Sequence, residues 1–389
     1  MTPAARYAAA IAVLDQIVGG GAPAERVLTQ WARGNRFAGS GDRAAIRDHV
    51  YDVLRARQSL AALGGGETGR HLILGLLRRD GPAPETVFGA GGHAPAALTA
   101  AEIAGPKQTA TPADSVDVPD WLWPQWTASL KDAALAAARV QQQRAPLHLR
   151  VNLSRTDRVA AQASLRDDVI AAVPHPEVET ALTVTENPRR VAASRAFRGG
   201  LVEVQDAASQ IAIARLPLDG RMRVLDYCAG GGGKALAIAD RIGRPVWAHD
   251  IDPGRMGDIG PRATRAGVDI KTLATRDLPA AGPFDLVFCD APCSGSGTWR
   301  RTPDAKWRLT PERLDDLTRI QDDVLRRAAA LTQAGGLLAY ATCSVLTAEN
   351  DDRIAAFLAA FPGWTLVETL RLIPDPAHDG FYLAILRRP

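Results

Sequence analysis

Cysteines carry the clearest chemical signal in this sequence, because two of them follow apolar segments and stand in polar surroundings. Cys293 follows a proline three residues after Asp290, and Cys343 lies between a threonine and a serine. Thiols in polar positions are more reactive than thiols in apolar ones. Since the carboxyl ends of the strands in an open α/β sheet meet at one crevice, Cys293 and Cys343 can converge on a single site.

The two remaining cysteines favour other interpretations. Cys289 lies inside an apolar segment and is expected to be a core thiol, whereas the backbone of Cys228 is expected to line a glycine-rich loop. A structural zinc site needs two closely spaced ligand pairs, and only Cys289 and Cys293 are close in the sequence, so we expect no metal site. Residues 1–227 contain no cysteine, which argues against a disulfide framework and favours a reducing, cytoplasmic setting.

A run of glycines forms a second candidate site. Residues 228–234 are Cys-Ala-Gly-Gly-Gly-Gly-Lys, shortly after an apolar segment that ends in Asp226. Glycines let a backbone approach a ligand closely, and the helix that follows offers unpaired N–H groups. Asp250 ends the next apolar segment, where an acid can accept hydrogen bonds from a ribose diol. This pattern favours a nucleoside-containing cofactor over a purely structural turn.

Two other nucleotide motifs fit this loop less well. Ala235 stands where a Walker P-loop needs serine or threonine for magnesium, and Cys228 occupies the first glycine position. A dinucleotide enzyme stays open, since Gly230, Gly232 and Ala235 fit the G-x-G-x-x-G/A spacing. Asp226, at the end of a predicted strand, is more typical of S-adenosylmethionine (SAM) enzymes.

These candidate residues need a sheet to position them. From residue 222 onward, apolar segments alternate with helical patterns, which predicts a mostly parallel sheet with helices on both faces. The predicted strands lie at 222–227, 245–250, 269–273, 284–290, 336–342 and 381–386. The predicted helices lie at 233–241, 253–266, 311–332 and 348–360. Residues 201–389 are therefore predicted to form an α/β, Rossmann-like domain.

The preceding sequence predicts two smaller domains. Residues 1–110 have apolar positions at helical spacing without strand-like alternation, which indicates an all-α domain. Residues 105–119 are rich in Pro, Thr and Ala and predict a linker. Residues 120–200 predict a linker helix, with Pro124 in its first turn, and a small α/β subdomain. The predicted elements of this subdomain are strands at 148–152 and 182–185 and a helix near 156–172.

Charge and hydropathy narrow the classes of partner. The net charge is +3, and 41 of the 46 basic residues are arginine, which suits bidentate phosphate contacts. A GC-rich genome that prefers arginine codons explains the same bias, so the composition permits an RNA partner without requiring one. No segment approaches the roughly 20 apolar residues of a membrane span, and the N-terminus lacks the features of a signal peptide. We expect a cytoplasmic monomer without a membrane partner.

Longer motifs resemble those of a known family. D-A-P-C-S-G-S-G at 290–297 and T-C-S at 342–344 form a specific pair. They are similar to the motifs of the RNA cytosine-5 methyltransferases of the Nol/Nop/Sun type, and in particular of its bacterial 16S ribosomal RNA branch. Residues 41–55 resemble the NusB-type RNA-binding domain of that branch. The similarity also extends to residues 204–210, 300–307, 349–350 and 379–382.

The resemblance implies roles for individual residues. Cys343 would be the nucleophile that adds to carbon 6 of cytosine, Cys293 would assist its release, and Asp290 and Lys234 would hold the base. SAM would be the cofactor, and RNA the partner. The implied cofactor contacts are Cys228, Ala229, Gly230, Gly231, Gly232, Gly233, Lys234, Asp250, Asp277 and Asp290.

Basic residues supply candidate phosphate contacts, although a solvated protein face explains each of them equally well. The candidates are Arg300, Arg301 and Lys306, together with the cluster Arg189, Arg190, Arg195 and Arg198.

One departure from the family pattern concerns the glycine run. Gly230 and Gly231 replace an Ala-Pro pair, and Ala235 replaces a threonine. The loop should therefore be more flexible and lose more entropy when it is ordered around SAM. Two alternatives stay open: a transfer RNA cytosine-5 methyltransferase, which shares every catalytic motif, and a non-catalytic RNA-binding scaffold that has lost SAM binding.

Overall fold

Two units make up the chain in a computed structural model, which describes residues 1–106 and 116–389. They consist of Met1–Arg144 with Trp299–Leu309, and of Ala145–Thr298 with Thr310–Pro389. The predicted linker falls mostly on residues 107–115, which lie outside the described part. The predicted domain boundaries stay a prediction. Within the described part, no helix is both long enough and apolar enough to cross a bilayer.

Helices account for most of the regular structure. The α-helices are α1 (Pro3–Gly20), α2 (Ala24–Gly34), α3 (Ser40–Arg55), α4 (Arg57–Gly64), α5 (Gly69–Asp80), α6 (Ala100–Ala104), α7 (Trp123–Leu130), α8 (Ala134–Gln141), α9 (Arg158–Asp167), α10 (Arg195–Arg198), α11 (Ala207–Arg215), α12 (Gly233–Ile242), α13 (Ile259–Ala266), α14 (Leu278–Ala281), α15 (Pro303–Arg308), α16 (Pro311–Leu331) and α17 (Asp351–Ala360). The strands are β1 (Leu147–Val151), β2 (Ala172–Pro174), β3 (Ala181–Val184), β4 (Val202–Val204), β5 (Val224–Asp226), β6 (Val246–His249), β7 (Ile270–Leu273), β8 (Phe284–Asp290), β9 (Thr332–Thr342), β10 (Thr365–Leu372) and β11 (Phe381–Arg387).

The first unit is helical, which confirms the prediction of a helical N-terminal region. α1 follows Thr2, whose side chain accepts a hydrogen bond from Ala5 N (3.2 Å), and its C-cap is Gly21 in the left-handed conformation. Apolar residues at helical spacing on α1, α3, α4 and α5 form the buried core of this unit.

The predicted linker helix, which has Pro124 in its first turn, is interrupted. α7 and α8 are separated by a 3-10 turn that begins at Lys131, whose φ is +51°. A residue with positive φ cannot continue a right-handed helix. Trp126 Nε1 donates to Ala134 O across this turn (3.0 Å), which holds the two helices together.

A segment distant in sequence completes the first unit. Asp304 Oδ2 accepts a hydrogen bond from Ala24 N at the start of α2 (3.1 Å). At the end of α3, Lys306 Nζ donates to Arg55 O (3.2 Å). Helix ends leave backbone N–H and C=O groups unpaired. The loop around α15 therefore caps two N-terminal helices.

The same packing bears on two predicted phosphate contacts. The side chains of Arg300 and Lys306 are buried, each 1% exposed. Burial lowers the pKa of Lys306 to about 8, with Asp117 opposing the shift and Arg55 adding to it. Neither side chain is exposed to a phosphate in solvent in this packing, and the RNA contacts of Arg300 and Lys306 stay a prediction.

Two sheets form the second unit. The smaller sheet has the strand order β2-β3-β1-β4, with antiparallel neighbours. The larger has the order β10-β11-β9-β8-β5-β6-β7, in which β9 to β7 are parallel and β11 and β10 are antiparallel. The predictions of a small α/β subdomain and of a mostly parallel, Rossmann-like sheet are confirmed.

Strand β8 shows how the larger sheet is buried on both faces. Leu286 and Phe288 belong to one core cluster, and Val287 and Cys289 to the other, because successive side chains of a strand point to opposite faces. Strands buried on both faces are continuous apolar segments in the sequence, which is why β8 was predictable. The burial of Cys289 agrees with its interpretation as a core thiol.

The sequence patterns do not predict β10. This strand lies at the edge of the sheet, its residues are mostly exposed, and a bulge between Leu366 and Glu368 interrupts its alternation. An exposed edge strand carries little apolar periodicity, so its polar pattern resembles that of a loop. The helix predicted at 253–266 also differs, because a 3-10 turn at Pro253–Met256 precedes α13.

We predict that Asp304→Ala lowers the free energy of unfolding by about 1–2 kcal/mol, because it leaves Ala24 N at the start of α2 without its acceptor. Asp304→Asn keeps an acceptor oxygen and should cost less. Urea denaturation followed by circular dichroism measures the change. The control is Asp316→Ala, which removes a half-exposed ion pair with Arg319. Equal effects of Asp304→Ala and Asp316→Ala would contradict the capping role.

Candidate functional site

The candidate site lies at the carboxyl ends of adjacent parallel strands. β9, β8, β5 and β6 are neighbours in this order, and they end near Cys343, at Asp290, at Asp226 and next to Asp250, respectively. Ligands bind at this edge of open α/β sheets. The fold thus brings together the catalytic candidates and the glycine loop that the sequence predicts.

The two cysteines that the sequence predicts to be catalytic are in contact. Cys293 Sγ and Cys343 Sγ are 3.4 Å apart, and both residues are partly exposed. The hydrogen bond from the Cys293 thiol lowers the pKa of Cys343, with Lys234 adding to the shift while burial and Asp290 oppose it. The same hydrogen bond, followed by burial, raises the pKa of Cys293. Of the two thiols, Cys343 is therefore the one that loses its proton more readily.

A lysine and a carboxylate form an ion pair beside these thiols. Lys234 Nζ lies 2.7 Å from Asp290 Oδ2, and both side chains are largely buried. Burial opposes the charge on Lys234, but the carboxylate of Asp290 outweighs it and raises the pKa of Lys234. Lys234 stays protonated at neutral pH. The pair presents a fixed cation and a fixed acceptor at the crevice.

A buried carboxylate that the sequence analysis did not assign holds both cysteine loops. Glu349 is fully buried, and its Oε1 accepts hydrogen bonds from Ser294 N (2.8 Å) and Gln321 Nε2 (3.1 Å). Its Oε2 accepts from the hydroxyls of Ser294 and Ser344. Since Ser294 follows Cys293 and Ser344 follows Cys343, a single side chain fixes the position of both thiols.

Further hydrogen bonds tie the same two loops together. Ser296 and Ser344 share a hydroxyl hydrogen bond of 2.9 Å, and Asn350 Nδ2 donates to Ser344 O (2.9 Å). The sequence signal for this network is the Glu-Asn pair at 349–350, which only the family resemblance singles out. Without that resemblance, the residues around Glu349 in the sequence do not distinguish it from a surface acid.

The glycine loop has the conformation that a close ligand contact requires. Gly230 and Gly232 have φ values of +49° and +79°, which favour glycine. Gly230 N donates to Asp250 Oδ2 (2.9 Å), and Ala229 N donates to His249 O (2.8 Å). The loop leads directly into the N-terminus of α12. Its backbone is therefore held against β6, where Asp250 is almost completely buried.

Asp226 supplies a separate test of whether a polar cofactor fits this site. Both carboxylate oxygens are buried, and neither has a hydrogen-bond partner of good geometry among the described residues, although the backbone N–H of Ala235 is close enough to oppose the rise in the pKa of Asp226. Burial, together with the nearby Asp290, raises the pKa of Asp226 to about 7. Unpaired buried acceptors are rare in proteins. Asp226, Asp250 and the glycine loop thus fit a polar, nucleoside-containing cofactor.

Other predicted residues lie at the periphery of the second unit or outside it. Asp277 is exposed in a turn that follows β7, and no hydrogen bond in the described part of the chain joins it to the glycine loop. Arg301 is half-buried in the first unit. The residues of the second arginine cluster, Arg189, Arg190, Arg195 and Arg198, are exposed. The roles of Asp277 and of these arginines stay predictions.

No group of three or more side chains that could hold a metal ion occurs among the described residues.

Comparisons with known proteins agree with this geometry. Residues 213–387 match the family model described as 16S rRNA methyltransferase RsmB/F, and residues 118–191 match that of the RsmF/B-like ferredoxin-like domain. Ribosomal RNA small subunit methyltransferase B of Sodalis glossinidius is 36% identical over 287 residues, which cover 68% of this chain and 64% of that protein. The protein of the same name from Vibrio vulnificus is 33% identical over 285 residues, which cover 69% and 66%.

Solved structures share the fold. PH0851 has a TM-score of 0.77 at 21% identity, covering 100% of this chain and 99% of that chain. NSun6 from Pyrococcus horikoshii, solved with SFG, has a TM-score of 0.62 at 16% identity, covering 69% and 98%. The chain spans about two thirds of the length of the curated relatives named above. From the family models, the relatives and the site together, we conclude that the chain belongs to the RsmB/F-type family of methyltransferases.

Proposed function

We propose that this protein is a SAM-dependent RNA cytosine-5 methyltransferase that modifies a cytosine of 16S ribosomal RNA. The observation that carries the proposal is the contact of 3.4 Å between the sulfurs of Cys293 and Cys343, beside the Lys234–Asp290 ion pair. The names of the two curated relatives support ribosomal RNA as the substrate. The assembled thiol pair argues against a non-catalytic scaffold.

The reaction begins at the Cys343 thiolate. Carbon 5 of cytosine is too weak a nucleophile to accept a methyl group directly, so the thiolate adds to carbon 6 and makes carbon 5 nucleophilic. The lowered pKa of Cys343 supplies this thiolate. The ring gains electron density as the carbon–sulfur bond forms, and Asp290, held by Lys234, would position the ring and stabilise its protonated form.

The cofactor would lie along the carboxyl edge of β5 and β6. When bound, SAM supplies the methyl group that carbon 5 receives. Residues 228–234 with Asp250, Asp277 and Asp290 would hold it. Asp250 already orients Gly230 through a backbone hydrogen bond, so the loop is shaped before the cofactor arrives.

Cys293 would complete the reaction. Its pKa is raised in part by the neighbouring Cys343 sulfur, and that contribution disappears once Cys343 is bonded to carbon. The Cys293 thiol can then release its proton to solvent, and the resulting thiolate acts as the base that removes the proton of carbon 5. The electron pair of the broken carbon–hydrogen bond restores the ring, and the Cys343 thiolate leaves.

That the chain works as a monomer in the cytoplasm stays a prediction.

We predict that Cys343→Ala abolishes methyl transfer while leaving the Kd for SAM within about twofold, because the thiol reacts with RNA and not with the cofactor. Transfer of labelled methyl groups to 16S ribosomal RNA and to transfer RNA measures activity, and calorimetry measures binding. Cys289→Ala, in the core of the sheet, is the matched control and should retain activity. Full activity of Cys343→Ala would refute the mechanism, and labelling of transfer RNA alone would refute the substrate.

We predict that Cys293→Ala accumulates a covalent protein–RNA adduct in the presence of SAM, because methyl transfer then proceeds without removal of the carbon 5 proton. The adduct should appear as a shifted band on a denaturing gel. The double variant Cys293→Ala/Cys343→Ala should show no such band. If the single variant forms no adduct, Cys293 does not serve in release.

A further inference from the structure

An arginine outside the predicted site lies against the cofactor loop. The guanidinium group of Arg262, on α13, donates a hydrogen bond to the carbonyl oxygen of Gly231. A Cβ atom added at Gly231 would lie 3.0 Å from Arg262 Nη1, and one added at Gly233 would lie 3.5 Å from Nη2. The guanidinium group thus fills the space that a side chain at position 231 or 233 would need.

The other end of this contact is anchored in the smaller sheet. Arg262 Nη2 lies 3.4 Å from Oε1 of Glu203, a residue of β4 that is 4% exposed. Glu203 pairs in register with Arg150 of β1 and also binds Arg265 (2.7 Å). A buried, multiply paired carboxylate holds its partners in one geometry. Arg262 is therefore fixed from both sides.

The contacts of Arg262 reduce the backbone freedom of the glycine loop. Four consecutive glycines from 230 to 233 leave the backbone with more freedom than any other residue type would, and ordering it on ligand binding opposes affinity. An ion pair in solvent would not reduce this loss of entropy. The Arg262 side chain, however, is only 22% exposed and donates a hydrogen bond directly to the loop backbone. The glycine loop is thus ordered when the protein folds, before any ligand binds.

We infer that Arg262, anchored by Glu203, is a positioning residue that preorganises the glycine loop for the cofactor. The inference rests on the proposed function for the identity of the ligand, SAM. Arg262 acts through Gly231 and takes no part in the reaction at Cys343. It also makes the smaller sheet, through β4, a structural support of the cofactor site.

The first test compares two arginines of the same helix by calorimetry with SAM. Arg262→Ala should weaken binding about tenfold, the usual effect of losing a hydrogen bond from a charged group. Arg265→Ala removes the shorter ion pair with Glu203 but touches none of the loop glycines, and its Kd should match that of the wild-type protein. If Arg262→Ala does not fold, Arg262→Lys, which replaces the two terminal nitrogens of the guanidinium by a single ammonium nitrogen, should show an intermediate loss.

The second test is rescue at Gly231, whose φ lies outside the left-handed region, so that alanine is allowed there. In the Arg262→Ala background, Gly231→Ala should restore affinity about threefold, because it stiffens the loop in the space that the guanidinium leaves. In the wild-type background, the added Cβ presses on Arg262 and should give no gain. A gain of the same size in both backgrounds would overturn the inference.

The outcomes separate this inference from the proposed function. If the wild-type protein binds SAM and Arg262→Ala binds it equally well, the positioning role is wrong and the function stands. If the wild-type protein does not bind SAM at all, the proposed function fails and the inference fails with it. Equal losses for Arg262→Ala and Arg265→Ala would assign the effect to general destabilisation and also overturn the role.

Discussion

One buried carboxylate sets the geometry on which the rest of the site depends. Glu349 has no access to solvent, and a buried charge is tolerated only when hydrogen bonds replace its hydration. Its four donors come from Ser294, Ser344 and Gln321. Ser294 and Ser344 directly follow Cys293 and Cys343, so the protein cannot satisfy Glu349 in this way without bringing both cysteine loops together. The distance of 3.4 Å between the thiols is a consequence of that requirement.

The parallel sheet supplies the second constraint. Because β9, β8, β5 and β6 are neighbours, residues that are far apart in sequence reach one edge at fixed separations. Lys234 on α12 meets Asp290 at the end of β8, and the charge of Lys234 in turn favours the thiolate of Cys343. Such groups act without rearrangement during the reaction. The lowered pKa of Cys343 thus follows from its hydrogen bond with Cys293 and, through strand order, from the charge of Lys234.

Local sequence patterns predicted the buried strands of the larger sheet and the reactive side chains at the ends of those strands. The buried strands are continuous apolar segments, and the cysteines stand at their ends. The features that the sequence analysis missed depend on three-dimensional packing. Arg300 and Lys306 resemble phosphate ligands in sequence, yet the first unit buries them. Glu349 and Arg262 have ordinary surroundings in the chain, and only the loops that they contact give them a role. β10 was missed because an exposed edge strand lacks apolar periodicity.

The nucleophile assignment is tested most directly by a substrate whose adduct cannot be released. A 16S ribosomal RNA transcript with fluorine at carbon 5 of its cytosines has no proton there to remove, so the bond to the protein should persist after methyl transfer. Digestion of the trapped complex followed by mass spectrometry identifies the linked peptide. The account predicts a nucleotide attached to Cys343. A link to Cys293, or no link from a protein that methylates ordinary RNA, would contradict it.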